Sequence, residues 1–207
     1  MPSLKFLAKA FLYFILLLLV LGVIYILLPV EVQPQYRKVV GISLIVLFYG
    51  IIIVDLIFLL PTVKGAIYYP SSDEQIATIL KLAQIKKGEK AVDIGSGDGR
   101  IVVALARAGA DAHGYEINPF LVVWSWWKSK QLPPHERGTH HWANLWTNNF
   151  SQFQVVTLFG MTYIMKDLEK KFIRELKPGA RVICNSFPFP NWKPSKKMGS
   201  VYLYEKK

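Results

Sequence analysis

A single cysteine in 207 residues, Cys184, excludes an internal disulfide and suits a reducing compartment. It lies in an apolar, strand-like run (RVICN, 181–185), which makes it a buried small residue rather than a nucleophile. Histidine is scarce as well, with four in the chain. His140 and His141 are adjacent on an expected strand and so project to opposite faces. His113 and His135 have no partner at ligand spacing, and no metal is expected. No Ser-His-Asp or Walker-type pattern and no internal repeat is present. Acid is outnumbered, 14 Asp and Glu against 25 Lys and Arg, for a formal net charge of +11. The lysines are spread without a basic recognition helix, so no nucleic acid is expected and anionic lipid headgroups are the simpler partner.

Charge is missing altogether from one long stretch and nearly so from a second. Ala10 to Val30 carries none, and Val39 to Leu60 carries only Asp55. Hydrophobic residues make up 52% of the chain, and the mean hydropathy of +0.28 is high for a wholly soluble protein. A membrane span needs ~20 apolar residues to cross ~30 Å of hydrocarbon, which both stretches supply. The first is too long for a signal-peptide core, and no small-x-small cleavage site follows it. Two transmembrane helices are therefore expected, at about 10–30 and 39–60, with a hairpin lying in one leaflet as the alternative. The polar turn from Glu31 to Lys38 would join them antiparallel, and Pro61 would close the second. Residues 1–60 then form a membrane anchor for a domain over 61–207, placing a lipid bilayer among the partners. Asp55 is expected to pair with the neighbouring helix or to lie near the interface.

Beyond Thr62 the pattern alternates. Ser72 with Gln75 spells a capping box, and Ile76, Ile79, Leu80 and Ala83 follow at helical spacing, so 73–85 is predicted helical. Strands are predicted at 90–94, 111–116, 139–143, 154–159, 180–185 and near 200–204, with helices at 99–108, 119–130 and 163–177. Strands alternating with helices imply an α/β, doubly wound, mostly parallel sheet covered on both faces. Trp124, Trp126 and Trp127 crowd one helix, where core packing together with membrane-interface anchoring accounts for them.

The chemistry gathers after the first strand. Residues 91–100 read AVDIGSGDGR, in which Asp93 stands two residues before a trio formed by Gly95, Gly97 and Gly99. Glycine lets the backbone turn sharply and approach a ligand closely. Some twenty residues on, Glu116 ends the next strand, where a carboxylate can accept both hydroxyl hydrogens of a ribose. The constellation points to an adenosyl cofactor.

Asp-x-Gly-x-Gly-x-Gly followed by an acid-ended second strand resembles the class I S-adenosylmethionine-dependent methyltransferases. DIGSGDGRIV, GYEINPFLVVWS, NLW, FSQFQVVTLFG, LEKKFIREL, GARVI and FPFPNW resemble more closely the membrane-anchored lysine methyltransferases of the ATP synthase c-subunit and the adenine nucleotide translocase. The resemblance runs from about Tyr69 to Tyr204 and implies a seven-stranded methyltransferase sheet with S-adenosylmethionine as cofactor. It implies that Asp93, Gly95, Ser96, Gly97, Asp98 and Gly99 line the methionine end. Glu116 would hold the ribose, and Asn118 with Pro119 would shape the helix entry. The family's Asp-Leu-Trp is Asn144-Leu145-Trp146 here, with Asn144 offering a carbonyl to the adenine amine. Phe159-Gly160 is kept, whereas Met161-Thr162-Tyr163 replaces a proline-containing segment, and Ser186 stands where an arginine often does.

By the same resemblance the reaction is direct displacement by a neutral lysine amine of a membrane protein. Thr162, Tyr163 and the segment Phe187, Pro188, Phe189, Pro190 are the candidates for orienting it, and no strong general base is required. A cytosolic cofactor places the catalytic domain of a two-pass membrane protein on the cytosolic side. Two other readings remain open: methylation of a lipid or quinone, and a non-catalytic membrane scaffold.

Overall fold

The computed structural model describes residues 20, 22, 23, 34–64 and 69–207. The chain divides into two compact units between Phe58 and Leu59. Ahead of the sheet stands α1 (Pro34–Lys64). Its first residue is proline, whose missing N–H is one that has no partner in a first helical turn. Pro34 to Lys38, expected as part of a turn, is therefore helical. The helix also runs past Pro61, its expected end, to Lys64. Within α1, Gln35–Ile53 is long and apolar enough to cross a membrane, with mean hydropathy 1.8 over 19 residues. The other expected span, 10–30, and the Asp55 side chain lie outside the described residues but for Val20, Gly22 and Val23.

In the second unit α2 (Asp73–Ala83) carries the expected capping box. Ser72 Oγ accepts the Gln75 amide at 3.2 Å and Gln75 Oε1 accepts the Ser72 amide at 2.9 Å. There follow β1 (Lys90–Ile94), α3 (Arg100–Arg107), β2 (Asp111–Glu116), α4 (Pro119–Lys130), β3 (Thr139–Trp142), β4 (Val155–Phe159), α5 (Thr162–Glu175), β5 (Arg181–Asn185), β6 (Lys196–Met198) and β7 (Val201–Glu205). The strands form one sheet in the order β3-β2-β1-β4-β5-β7-β6. The five from β3 to β5 are parallel, β7 runs antiparallel to β5, and β6 antiparallel to β7. The short β6, with two exposed lysines, shows no apolar alternation and is absent from the sequence reading.

The inner strands are buried on both faces and alternate between two cores. Val92, Val156, Val182 and Cys184 pack with Phe150, Leu168 and Phe172 on the α5 side. Ala91, Val155 and Ile183 pack with Leu82, Val102 and Leu105 on the α2–α3 side. Order reverses between β1 and β4, so the chain departs to opposite sides of the carboxyl edge there. That crevice is where doubly wound sheets take ligands.

Two substitutions grade this construction. Phe172 is fully buried, and Phe172→Ala should cost about 3–5 kcal/mol in urea unfolding. Ser72→Ala, which removes only a helix cap, should cost about 1 kcal/mol.

Candidate functional site

β1 delivers its end to the crevice, and the glycines turn it away. Gly95, Gly97 and Gly99 have φ of 72°, 53° and 80°, the left-handed region that side chains avoid. The amides of Gly95 and Ser96 both donate to Tyr115 O, at 2.8 and 3.2 Å, clamping the turn to β2. At Gly99 a Cβ would lie 2.6 Å from His140 Cε1 and 2.9 Å from Ser125 Cβ, whereas beside Gly95 the space is open. The third glycine is thus demanded by packing, and the first faces the cleft.

Three buried carboxylates surround this turn, each stabilised differently. Glu116 accepts the Gly97 amide on Oε2 at 2.9 Å and the Asn118 amide on Oε1 at 2.8 Å. Asn118 in turn caps α4 through Oδ1, which accepts the Phe120 amide at 3.0 Å. Asp98 receives Arg100 Nε on Oδ1 at 3.0 Å, and Arg100 Nη2 and Lys128 Nζ on Oδ2 at 3.0 and 2.9 Å. Burial alone would raise its pKa, but hydrogen bonds from Arg100 and then Lys128 prevail and hold it at about 2. Arg100 also donates to Ser71 O at 2.9 Å. Asp98, expected to line the cofactor, ties the glycine turn to α4 and, through Arg100, to the segment before α2. Among the described residues Asp93 has only Thr157 Oγ1, which donates to Oδ1 at 2.7 Å. Burial raises its pKa to about 7; Thr157 opposes the rise, and the charges of Glu116 and Asp98 add to it. Ser96 Oγ is buried with no hydrogen-bond partner among the described residues.

Across the crevice lies an aromatic edge. Tyr69 stacks on Phe159 at 5.9 Å between centroids, and Phe159 meets Phe187 edge-on at 5.6 Å. Thr162 and Tyr163 open α5 beside them and are exposed. The segment Phe187–Pro190 does not act as one wall. Phe187 joins the aromatic edge and Pro188 and Pro190 are exposed, but Phe189 turns into the core between Phe172, Trp192 and Tyr204. The Phe189 amide donates to Tyr204 Oη at 3.0 Å, which fixes it there. Ser186 holds φ at 73°, a strained conformation for a residue with a side chain. Next to it, Asn185 Nδ2 donates to Ser71 Oγ at 3.2 Å and its Oδ1 accepts Gln75 Nε2 at 3.4 Å.

Asn144 Oδ1 accepts the Trp146 amide at 2.9 Å, so its carbonyl already closes a turn, and an adenine amine would share that oxygen. His113 does have a partner, contrary to expectation. The register of β2 on β3 brings its Nδ1 within 3.1 Å of His141 Nε2, while Asp111 lies 3.2 Å from its Nε2. No group of three or more His, Cys, Asp or Glu suited to a metal occurs among the described residues. The sequence reading missed Tyr69, Arg100 and Thr157. Only the paired tyrosines before Pro70 gave a local signal for the first.

Known proteins resemble the chain both in sequence and in fold. The family described as the ANTKMT methyltransferase domain matches residues 93–196. The chain is 41% identical over 142 residues to the ATP synthase c-subunit lysine N-methyltransferase of Rattus norvegicus, covering 67% of this chain and 65% of that protein. It is 35% identical over 143 residues to the adenine nucleotide translocase lysine N-methyltransferase of Mus musculus, covering 67% and 62%. The match thus spans slightly less than two thirds of these curated relatives. An RNA methyltransferase from Salinibacter ruber, solved with S-adenosyl-L-homocysteine, superposes with TM-score 0.63 at 28% identity over 66% of this chain and 93% of that one.

Asp93 yields a pH signature. Its folded pKa stands above the unfolded value, so the stability it contributes is complete below pH ~4 and is lost as pH rises through about 7. Asp93→Asn should remove that slope. Relative to the parent, the ligand-free variant should gain on the order of a few kcal/mol between pH 4 and 8, measured by urea unfolding.

Proposed function

The chain belongs to the ANTKMT methyltransferase-domain family, and from that premise we propose that it transfers methyl from S-adenosylmethionine to a lysine of a membrane protein. The observation that carries this reading is the Glu116 carboxylate, held by the Gly97 and Asn118 amides at the carboxyl end of β2. Each of its oxygens keeps a lone pair for a ribose hydroxyl. The fit extends to the open space beside Gly95 and to the unpartnered Ser96 Oγ, a donor for the methionine end. Asp93 borders the same end, where a ligand ammonium would favour its ionised form. Asn118 shapes the entry to α4, and Asn144 stands at the adenine end. Asp98 and Gly99 serve by holding the turn in place.

When bound, S-adenosylmethionine supplies a methyl carbon on a sulfonium, which an amine can displace directly. The protein's part is alignment and control of the amine's charge. Tyr69, Phe159 and Phe187 offer an apolar mouth for a lysine stem, and desolvation there lowers the lysine pKa toward the neutral form. Thr162 and Tyr163, at the first turn of α5, would orient the nitrogen. Cys184 takes no part: it is fully buried and its pKa is raised by that burial.

In this reading the segments 10–30 and 39–60 form a two-pass anchor, and residues 61–207 are the catalytic domain on the cytosolic side. The named relatives act on the c-subunit of ATP synthase and on the adenine nucleotide translocase. A membrane-protein lysine is the matching acceptor for a chain that carries its own apolar helix.

Glu116→Ala removes a charge-assisted ribose acceptor and should weaken S-adenosylmethionine about ten- to hundredfold in calorimetry, with unfolding checked in parallel. Membranes incubated with the parent enzyme and methyl-labelled cofactor should yield labelled methyllysine on protein hydrolysis. Label found only in the organic extract would move the acceptor to a lipid or quinone, and no cofactor binding would leave a scaffold.

A further inference from the structure

α4 exposes its largest apolar side chains. Its inward face buries Ser125 and Ser129, with Leu121 and Val122 half-buried beside them. Its outward face carries Phe120, Val123, Trp124 and Trp127, spaced i, i+3, i+4 and i+7, and all are exposed. Trp124 and Trp127, at 51% and 52% exposure, stack on each other at 5.4 Å rather than on the core. Trp126 flanks the stripe with Lys130 Nζ 3.6 Å above its ring. Trp142, at the end of β3, is 72% exposed, and its Nε1 donates to Ile117 O at 3.0 Å. A run of large apolar side chains on a solvent face marks a contact with something else.

We propose that this face of the catalytic unit inserts shallowly into the headgroup region of a lipid bilayer, a second membrane contact made by the sheet domain itself. Composition and charge select that occupant. Tryptophan is the residue of membrane–water interfaces, where a flat apolar ring with one polar edge fits. α4 contains no acidic residue and carries the exposed Lys130 beside its aromatic stripe, Lys128 being turned inward to Asp98, and the chain as a whole carries +11, which suits anionic headgroups. An outward apolar stripe edged by a cationic side chain is the pattern of a helix lying in the interface plane. The chain also contains a helix long and apolar enough to cross a membrane, and in the anchored arrangement proposed above that helix would keep a bilayer within reach. The proposal concerns a surface and is independent of the reaction assigned to the site.

α4 begins at Asn118, which is bonded to Glu116. Seating its outward face in headgroups would therefore hold the ribose end of the crevice close to the lipid surface.

The test uses the full-length protein reconstituted in phosphatidylcholine vesicles containing a minority of phosphatidylserine, with phospholipids brominated near the top of the acyl chain as quenchers. Emission from the chain's six tryptophans should be quenched strongly. Trp124→Phe/Trp127→Phe should lose most of the quenched component, with circular dichroism and thermal midpoint unchanged. Val123→Glu, which alters no fluorophore, should also lower it at least twofold. Quenching unchanged in both variants would overturn the proposal. So would protection of these tryptophans from aqueous iodide in lipid-free detergent that rises with protein concentration, since the face would then belong to a second copy.

Discussion

The hydrogen bond from the Gly97 amide to Glu116, 2.9 Å long, is the contact on which the carboxyl edge of the sheet depends. It joins the turn after β1 to the end of β2, and the other oxygen of the same carboxylate fixes the entry to α4. A buried carboxylate is costly unless hydrogen-bonded, and Glu116 is satisfied by backbone amides rather than by cations. No positive side chain therefore has to occupy the crevice. The cations stand one residue further on, at Asp98, where Arg100 and Lys128 bind from the outside and leave the inner surface to Asp93, Gly95 and Ser96. Two carboxylates within the same few residues are thereby separated in character: Asp98 is charged throughout the physiological range, and Asp93 titrates near neutrality.

What could be read in the chain, and what could not, follows from the range of each interaction. The α/β alternation and six of the strands are local patterns of apolar residues, and the Ser72–Gln75 cap is an interaction over three residues. The Asp93–glycine–Glu116 constellation is a short motif with one long step, so it too could be read. The Asp98 network could not, because Lys128 lies 30 residues beyond Asp98 and Ser71 lies 29 residues before Arg100. The His113–His141 approach depends on the register of β2 on β3, which no single strand displays. Phe189 was misread for the same reason. Phe-Pro-Phe-Pro looks like one exposed aromatic loop until Tyr204, on β7, accepts the Phe189 amide and draws that ring inside. Proline misled at both ends of α1, since helices accept it at their first position and here also continue past Pro61.

The aromatic edge and the strained residue beside it form one mechanical unit. Ser186 takes a left-handed conformation at the end of β5, and such strain persists only where neighbours over-determine the backbone. Those neighbours can be named. The Ser186 amide donates to Ser200 O at 2.9 Å, and the adjacent Asn185 is held by Ser71 and Gln75. The segment carrying Tyr69 is thus fastened to the end of β5, just ahead of Phe187, and Phe159 lies between the two rings. A mouth assembled this way is rigid without a disulfide, as a chain with one buried cysteine requires.

The buried serines of α4 have a packing cause on its inner side, and its exposed aromatic residues have none on its outer side. Close approach to the glycine turn demands small residues within: the space at Gly99 is bounded by Ser125 and His140, and a larger side chain at 125 would push the helix off β2 and β3. Serine meets that demand, and Ser125 Oγ satisfies itself on Val122 O at 2.9 Å. Packing places no matching demand on the outer face, where lysine or glutamate would fold equally well and dissolve better. Val123, Trp124 and Trp127 stand there instead, in a helix without an acid. A residue pattern that the fold does not need, and that solubility opposes, is maintained by what the surface touches. The same loop that shapes the crevice from within therefore fixes the face that meets the outside.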